Sequence, residues 1–407
     1  MTLPVCRHCK TPLPHVFLDL GHAPPSNAYL SPERLNGPEM TFPLRLRVCD
    51  SCWLVQTEDF TEADSLFDAE YAYFSSTSKS WLDHAARYTD AMIARFGLGA
   101  ESHVIEVASN DGYLLKNFVA AGVPCLGIEP TASTAAAADA LGIPVMREFF
   151  GAALGARLAE EGRAADLIAG NNVYAHVPNI NDFTQGLAAA LKPEGVITLE
   201  FPHLMRLVEF CQFDTVYHEH FSYLSLLTVS RVFEAAGLRV FDVEELPTHG
   251  GSLRVYGCHL GAIHPETEAA RAVLAEESAR GMDDLAFYGG FQSRADAVKD
   301  GLLRFLLEAK RDGKTVAGYG AAAKGNTLLN YGGVKPNLLP FICDAAPSKQ
   351  GKVMPGSHIP IMAPEVLDRT APDYVVILPW NIADEVRRQL ARLGEGGTRF
   401  VVAVPEV

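Results

Sequence analysis

The sequence lacks the features that define several classes of protein. Its 407 residues contain no apolar run near the ~20 residues that span a bilayer, and the first thirty lack the basic start and apolar segment of a secretory signal. Basic residues are also few, since 34 Lys and Arg against 49 Asp and Glu give a net charge of −15. This deficit argues against non-specific binding to nucleic acid or anionic membranes, which needs basic surface. We therefore expect a cytoplasmic protein.

A GxGxxG fingerprint for a dinucleotide is missing from the clearest strand, turn and helix unit, VIEVASNDGYLL at 104–115. An α/β sheet binds its ligand at the carboxyl end of such a strand, where a glycine and a helix start leave backbone N–H groups accessible. A turn that carries an aspartate repels phosphate and suits a cation. The unit therefore predicts S-adenosylmethionine, a sulfonium with an ammonium group, as the cofactor. The predicted contacts in this unit are Glu106, Ala108, Asn110, Asp111 and Gly112.

The next two crossovers extend the same predicted site. The strand CLGIE ends at Glu129 and Pro130, about 20 residues after the turn, where nucleoside sites place an acid on the ribose hydroxyls. The apolar strand 167–169 is followed by Asn171 and then by His176, which can line the same cleft. A generic doubly wound sheet with an acid at a strand end by chance is the alternative.

Four of the eight cysteines form two C-x-x-C knuckles, Cys6/Cys9 and Cys49/Cys52. Each knuckle can bind one edge of a tetrahedral Zn²⁺ site once the segment between them folds back, with FPLRLRVC as a strand inside it. Four thiolates close the coordination shell, so the predicted metal is structural. A redox pair is the alternative for either knuckle alone, and His8 is a competing ligand.

The segment FDTVYHEHFSYLS at 213–225 crowds the titratable residues Tyr217, His218, Glu219, His220 and Tyr223 together. In an extended or irregular segment alternate residues share a face, which separates the two histidines from the other three, whereas a short helix mixes them. Histidine titrates near neutral pH and is the best candidate for a general base, but spacing alone does not choose the residue. Core histidines and a weak metal site are the alternatives.

Three further segments give local predictions, two of which include polar residues that are candidates for the site. Tyr71 and Tyr73 lie in LFDAEYAYFSSTSKS at 66–80, a predicted loop whose hydroxyls reach a polar substrate or pack a domain boundary. Residues 192–195, Lys-Pro-Glu-Gly, predict a tight turn before the strand VITLEFP. His249 lies between two strands that are predicted to pair as an antiparallel hairpin.

The segment KTVAGYGAAAKGNTLLNYGG at 314–333 predicts a second strand, small-residue turn and helix. Backbone amides at the helix start, with Lys324, suit a phosphate or a nucleotide-sugar pyrophosphate. Two further strands, LLPFICD and DYVVILPW, indicate a second Rossmann-like sheet, or a degenerate nucleotide fold used only for packing. The predicted substrate contacts are Tyr73, His249, Tyr319, Lys324, Asn326 and Trp380.

These motifs, taken in order, resemble a known family. The two knuckles, VIEVASNDGYLL with GIEPT, YHEHFSYLS with THGGSLR, and GYGAAAKGNTLLNY with PGSHIPI are similar to the zinc-containing sugar C-3 methyltransferases of deoxysugar and antibiotic biosynthesis. The resemblance covers nearly the whole chain. It implies an α/β fold with a small zinc-binding module at 1–70, a class I S-adenosylmethionine methyltransferase core of Rossmann-like topology at 71–282, and a second Rossmann-like, nucleotide-sugar-binding domain at 283–407.

The resemblance also implies a reaction. Such enzymes methylate C3 of a nucleotide-linked 4-keto-6-deoxysugar, with dTDP as the expected nucleotide, through an enolate. By motif position His220 is the base, Tyr217 hydrogen-bonds the enolate oxygen, and Glu219, His176 and Tyr71 surround the sugar ring. An O-methyltransferase acting on another anionic metabolite and a non-catalytic zinc-bearing interaction protein are the alternatives. The sugar, the stereochemistry at C3 and the choice between a monomer and a small homo-oligomer stay open.

Overall fold

The computed structural model of the chain describes residues 3–58 and 74–406, so Tyr71 and Tyr73 lie outside the described residues. The strands of the described part are β1 His15–Ala23, β2 Phe42–Val48, β3 Val55–Thr57, β4 Val104–Val107, β5 Cys125–Ile128, β6 Val145–Met146, β7 Ala165–Asn171, β8 Leu191–Pro202, β9 Ser222–Tyr223, β10 Leu238–Leu246, β11 Ser252–His259, β12 Val316–Tyr319, β13 Ile342–Cys343, β14 Ile361–Met362, β15 Tyr374–Ile377 and β16 Arg399–Val401.

The α-helices of the described part are Lys79–Phe96, Leu115–Ala120, Ala132–Ala140, Ala152–Glu160, Ile180–Ala190, Leu204–Glu209, Leu226–Ala235, Glu268–Ala279, Leu285–Tyr288, Phe291–Arg311, Ala323–Tyr331, Glu365–Thr370, Ala383–Gln389 and Ala391–Glu395. Short 3-10 turns near the site span Ser75–Thr77, Tyr174–His176, Phe213–Thr215, Thr248–Gly250 and Trp380–Ile382. None of the helices within residues 3–58 and 74–406 has both the length and the apolar content needed to cross a membrane.

The middle sheet has the strand order β10-β11-β8-β7-β4-β5-β6. Its strands β4 to β8 run parallel, and β11 runs antiparallel to both of its neighbours. Every residue of β4 and β5 is buried, as expected for central parallel strands covered on both faces. Ile105 packs in one buried cluster and its neighbour Val104 in another, because successive side chains point to opposite faces. The predicted α/β core with an antiparallel hairpin at one edge is confirmed.

Residues 192–195 correct one local prediction. The sequence predicted a tight turn, but these residues lie inside the continuous strand β8. The register against β7 shifts there, because Ala165 pairs with Leu191 and Leu167 pairs with Val196. The turn-forming sequence therefore makes a bulge at the start of the strand.

A second, all-parallel sheet lies in the carboxy-terminal part and has the order β14-β13-β12-β15-β16. The carboxyl end of β12 leads into the small-residue turn and the helix Ala323–Tyr331, as the sequence predicted. The second Rossmann-like sheet is confirmed.

A small antiparallel sheet in the amino-terminal part has the order β1-β2-β3-β9. Its last strand, β9, directly follows the cluster at Tyr217–His220 in sequence, so the cysteine-bearing part of the chain pairs with the polypeptide beside that cluster. Phe17 of β1 stacks on Phe291 with ring centroids 4.7 Å apart. Cys6 and Cys52 instead belong to a buried cluster that covers the middle sheet. The amino-terminal part thus contacts both larger sheets.

Candidate active site

A cavity of about 590 Å³ lies at the carboxyl ends of β4, β5 and β7. Its wall also includes residues from the turn after Val216, from the small-residue turn before Ala323–Tyr331, and from the amino-terminal part of the chain. The predicted site residues on this wall are Ala108, Asn110, Glu129, Pro130, Asn171, His176, Tyr217, Glu219, His220, His249 and Lys324. Residues from all three parts of the chain therefore face one space.

The turn after β4 has an unusual backbone. Ala108 and Asn110 have φ values of 57° and 51°, in the left-handed region that non-glycine residues seldom adopt. The Glu129 carboxylate stabilises this turn, because one oxygen accepts the N–H of Asn110 at 2.9 Å and the other accepts the N–H of Thr131 at 2.9 Å. Glu129 thereby joins the two strand ends that form one wall of the cavity.

Three of the predicted cofactor contacts lie behind this wall. Asp111 Oδ2 accepts the N–H of Ser76 at 3.0 Å, which connects the turn to the start of the helix Lys79–Phe96. A Cβ on Gly112 would lie 2.4 Å from Ile143 Cδ1, so close packing accounts for this glycine. Glu106 is fully buried, and burial raises the pKa of its carboxyl group well above the ordinary value. A direct contact of these residues with the cofactor stays a prediction.

The polar atoms at the ends of the middle strands fit S-adenosylmethionine. Both side-chain polar atoms of Asn171 are buried on the cavity wall and have no hydrogen-bond partner within residues 3–58 and 74–406. A buried amide normally has such partners, so a polar ligand is expected here. Together with the Asn110 and Glu129 wall, this amide can hold the hydroxyl and amino groups of the cofactor.

The acid–base cluster is built on a β-turn. The N–H of His220 donates to the carbonyl oxygen of Tyr217 at 3.0 Å, so the segment is irregular backbone and not the short helix considered from the sequence. The rings of Tyr217 and His220 consequently lie 4.0 Å apart, and the ring of His176 lies 4.5 Å from that of His220. The turn brings one tyrosine and one histidine to the same wall of the cavity.

The contacts of His220 determine its tautomer. Its Nδ1 lies 3.1 Å from the carbonyl oxygen of Thr215, and because a carbonyl only accepts, Nδ1 carries the hydrogen. Nε2 is then the nitrogen that can accept a proton. Burial, with a further contribution from His176, lowers the pKa of His220 well below the ordinary histidine value. The imidazole is therefore neutral at pH 7, as a general base requires.

His218 lies on the opposite side of the turn. Its Nε2 is 3.3 Å from the carbonyl oxygen of Phe42 and 3.2 Å from that of Pro43, at the start of β2. This contact joins the turn to the amino-terminal sheet. Among the three candidates for the base, Glu219 and His220 line the cavity, whereas His218 packs against β2.

Glu219 is held by a residue from the amino-terminal part. Asn27 Nδ2 donates to both carboxylate oxygens, at 2.9 and 3.0 Å. Only 3% of the Glu219 surface is exposed, and burial raises the pKa of its carboxyl group to about 7. Glu219 can therefore exist as an acid or as a carboxylate near neutral pH.

Two lysines line the end of the cavity that the carboxy-terminal part of the chain forms. Lys324 Nζ lies 4.3 Å from the centre of the Trp380 ring and donates to Asn381 Oδ1 at 2.6 Å. Burial lowers the pKa of Lys324 to about 8, so its ammonium group remains mostly charged at pH 7. Lys349 also lines the cavity and donates to the carbonyl oxygen of Ala321 at 2.8 Å. Two cations near the small-residue turn suit an anionic group.

Three predicted substrate contacts have protein partners behind this end of the cavity. The Trp380 indole N–H donates to Asp214 Oδ2 at 2.7 Å, the Tyr319 hydroxyl donates to Gln389 Oε1 at 3.3 Å, and the buried Asn326 Oδ1 accepts from Asn330 at 3.1 Å. Trp380 thus contacts the cavity residue Lys324 with the face of its ring. Substrate contacts of these residues stay predictions.

The four cysteines of the knuckles converge. Their sulfur atoms all lie within 4.8 Å of one another, with Cys6 and Cys52 3.5 Å apart and Cys9 and Cys49 3.4 Å apart. A tetrahedral zinc with Zn–S bonds of about 2.3 Å requires S–S edges of roughly 3.8 Å. The cage therefore fits Zn²⁺, and its four thiolates leave no open position for catalysis.

The two knuckles have the same backbone geometry. The residue after each knuckle, Lys10 or Trp53, has a positive φ, namely 64° and 66°, and donates its N–H to the carbonyl of the first cysteine at 3.0 Å. His8 faces away from the cage, since its Nδ1 lies 2.8 Å from Asn181 Oδ1. The sequence alternative of His8 as a ligand is therefore wrong in this geometry.

Asn27 and Lys349 are site residues that the sequence reasoning missed. Asn27 follows Pro-Pro-Ser, which indicates only a turn, and Lys349 lies in the loop that follows β13. Neither sits beside a motif. Only the fold brings them to the cavity.

Comparisons with known proteins agree with this arrangement. Residues 6–67 match the family described as "Putative zinc binding domain", residues 81–243 match "Methyltransferase domain", and residues 247–405 match "C-methyltransferase C-terminal domain". The chain is 36% identical over 389 residues to C-methyltransferase NovU of Streptomyces niveus, covering 96% of this chain and 92% of that protein.

Solved structures of methyltransferases resemble part of the chain. An S-adenosylmethionine-dependent methyltransferase from Anabaena variabilis is 17% identical with a TM-score of 0.38, covering 49% of this chain and 96% of that one. Magnesium protoporphyrin IX methyltransferase from Synechocystis PCC 6803 is 13% identical with a TM-score of 0.35, covering 44% of this chain and 83% of that one. This chain is 36% identical to NovU over most of both chains, matches the three families and has the four-cysteine cage. It therefore belongs to the C-methyltransferases, as an S-adenosylmethionine-dependent enzyme with a zinc-binding domain.

Proposed function

We propose that this enzyme methylates C3 of a dTDP-linked 4-keto-6-deoxysugar through an enolate. The observation that carries the proposal is that neutral, buried His220 lines the same cavity as the cofactor wall and the two lysines. A base, a methyl donor and an anion site around one space are what this reaction needs. In this proposal residues 1–70 hold the zinc, 71–282 bind S-adenosylmethionine and 283–407 bind the nucleotide.

The reaction begins with loss of the C3 proton. The adjacent 4-keto group acidifies this proton, and Nε2 of His220 accepts it while Nδ1 stays hydrogen-bonded to the carbonyl of Thr215. The electron pair of the C3–H bond moves into the enolate. In this proposal Tyr217, whose ring centroid lies 4.0 Å from that of His220, donates its hydroxyl hydrogen to the enolate oxygen.

When bound, S-adenosylmethionine would supply an electrophilic methyl group: a new bond would form between C3 of the enolate and the methyl carbon while the bond from that carbon to sulfur breaks and the neutral thioether leaves. We assign the exclusion of water from this step to His176, which is half-buried and whose ring lies 4.5 Å from that of His220, and to Trp81, which stacks on Tyr113 with ring centroids 5.9 Å apart. Exclusion of water favours alkylation of the enolate over its reprotonation. Tyr71 and Tyr73 remain candidate sugar contacts outside the described residues.

We place the nucleotide diphosphate at the end of the cavity that carries positive charge. Lys324 and Lys349 line the wall near the turn that opens the helix Ala323–Tyr331, and the N–H groups of a helix start favour a phosphate. A diphosphate at the lysines would direct its sugar toward His249 and the cluster at Tyr217–His220.

The test is proton exchange at C3 without methyl transfer. Enzyme, nucleotide-linked 4-ketosugar and D₂O, with S-adenosylmethionine omitted or replaced by its demethylated product, should show deuterium entering C3 by NMR. His220→Asn should lose both exchange and turnover by ~10² to 10⁴-fold, the usual effect of removing a positioned base.

His218→Asn is the matched control, because His218 is an adjacent histidine that contacts the carbonyls of Phe42 and Pro43. It should keep most of the exchange rate. If His218→Asn loses exchange while His220→Asn keeps it, the base is misassigned. Absence of exchange in the wild type, with the new methyl group found on oxygen, would refute the enolate route and favour the O-methyltransferase alternative.

A further inference from the structure

We propose that Asn27, carried by the zinc-binding part of the chain, is a positioning residue that orients the Glu219 carboxyl group beside the base His220. The inference rests on the proposed function, because it assigns Asn27 to the reaction at C3. It adds a residue that lies 192 positions from its partner in sequence.

The geometry supports orientation by Asn27. One amide nitrogen, Nδ2, lies 2.9 Å from Oε1 and 3.0 Å from Oε2 of Glu219, so it bridges the two oxygens and restrains the plane of the carboxyl group. Both residues line the cavity. The remaining lone pairs of the carboxylate are then available to a hydroxyl group of the sugar.

Glu219 depends on this contact because it is otherwise enclosed by protein. A buried carboxylate needs donors, and the two hydrogen bonds to its side chain within the described ranges both come from Asn27. Without the amide, the carboxyl group would be free to rotate or to turn toward His220. Loss of the orientation of the Glu219 carboxyl group should therefore slow the chemical step.

The segment that carries Asn27 is fixed from its other side. The Tyr29 hydroxyl donates to the carbonyl oxygen of Ala321 at 2.5 Å, and Leu30 exchanges backbone hydrogen bonds with Val353 at 3.2 and 2.9 Å. These contacts, just after Asn27 in sequence, attach the segment to loops of the carboxy-terminal part. The amide is therefore held in place even before a ligand binds.

A double-mutant cycle tests the inference. The variants Asn27→Ala, Glu219→Ala and the double variant are compared by kcat and KM for the nucleotide-linked ketosugar, at saturating S-adenosylmethionine and with zinc content verified. Asn27→Ala should lower kcat by on the order of 10- to 100-fold, as for loss of a hydrogen bond to a charged group, with KM nearly unchanged. In the Glu219→Ala background the same substitution should have little effect, because its partner is gone.

Two more variants separate positioning from mere attachment of the segment. Asn27→Asp has the same shape but replaces the donor with a second carboxylate. It should be more harmful than Asn27→Ala in the wild-type background and equal to it in the Glu219→Ala background. Tyr29→Phe removes a neighbouring contact of the same segment, and its effect should be the same in both backgrounds.

Equal losses for Asn27→Ala in the wild-type and Glu219→Ala backgrounds would overturn the inference, since they would mean that Asn27 only attaches the segment. An effect confined to KM would overturn it as well. A folded, zinc-loaded wild type without turnover on nucleotide-linked ketosugars would instead refute the proposed function, so the two failures are distinguishable.

Discussion

Glu219→Gln should change the pH dependence of stability in a predictable direction. Burial raises the pKa of this carboxyl group from an ordinary 4.5 to about 7 in the folded chain. The folded state therefore binds the proton more tightly than the unfolded state, so this group stabilises the fold fully below its unfolded pKa. That stability is lost as the pH rises through about 7.

The magnitude follows from the shift. A shift from 4.5 to about 7 corresponds to roughly 3 kcal/mol at about 1.36 kcal/mol per pKa unit. By linkage, about 2 kcal/mol of this should be lost between about pH 5.5 and pH 8. Glutamine does not titrate and retains an oxygen that accepts from Asn27. The unfolding free energy of the variant relative to the wild type should therefore rise by about 2 kcal/mol over this interval.

Urea unfolding of zinc-loaded protein at several pH values measures the difference. Glu209→Gln is the control, because Arg206 and Arg280, which stay charged throughout this interval, lower the pKa of this glutamate. Its stabilising contribution is lost only as the pH falls below the ordinary range, so the Glu209→Gln difference should be flat from about pH 5.5 to pH 8. A flat Glu219→Gln difference over the same interval would refute the reasoning.

Four other outcomes are expected. Removal of zinc, or Cys52→Ser, should disorder the turn at Tyr217–His220 through the pairing of β3 with β9 and abolish turnover, and full activity of metal-free protein would contradict this. Glu129→Ala should weaken S-adenosylmethionine binding, measured by calorimetry, by on the order of 2 to 4 kcal/mol. It should also lower the melting temperature, because two backbone N–H groups lose their acceptor. Unchanged affinity would show that Glu129 does not contact the cofactor. Lys349→Met should raise KM for the nucleotide sugar about tenfold or more while the affinity for S-adenosylmethionine stays the same, and an effect on the cofactor alone would argue against a diphosphate there. Gly250→Ala should destabilise the fold by roughly 1 to 3 kcal/mol more than Gly237→Ala does. Both glycines have a positive φ, but only at Gly250 would the new Cβ lie 2.4 Å from the Trp380 ring. Equal losses of unfolding free energy in urea would refute this packing argument.

The sequence determined the parts of this protein that depend on neighbouring residues. Each C-x-x-C knuckle closes within a few residues, so Cys6 and Cys9 could be assigned to zinc from spacing, and the structure brings them to Cys49 and Cys52. The strand and turn at 104–115 and the hairpin around His249 were likewise recognisable, because apolar runs and turn residues act locally. The predicted turn at 192–195 is instead a bulge inside β8, because Leu191 and Val196 on either side of it pair with Ala165 and Leu167 of β7.

The tertiary structure alone decided which side chains meet. His218 and His220 are equivalent in sequence pattern, and they differ because the turn closed by Tyr217 directs His218 to β2 and His220 to the cavity. Asn27 reaches Glu219 because β9 pairs with the amino-terminal sheet while Tyr29 and Leu30 attach the Asn27 segment to Ala321 and Val353, contacts between residues distant in sequence. The raised pKa of Glu219 and the lowered pKa of His220 arise from burial by residues distant in sequence, and the energy of a buried charge depends on that enclosure and not on the local sequence.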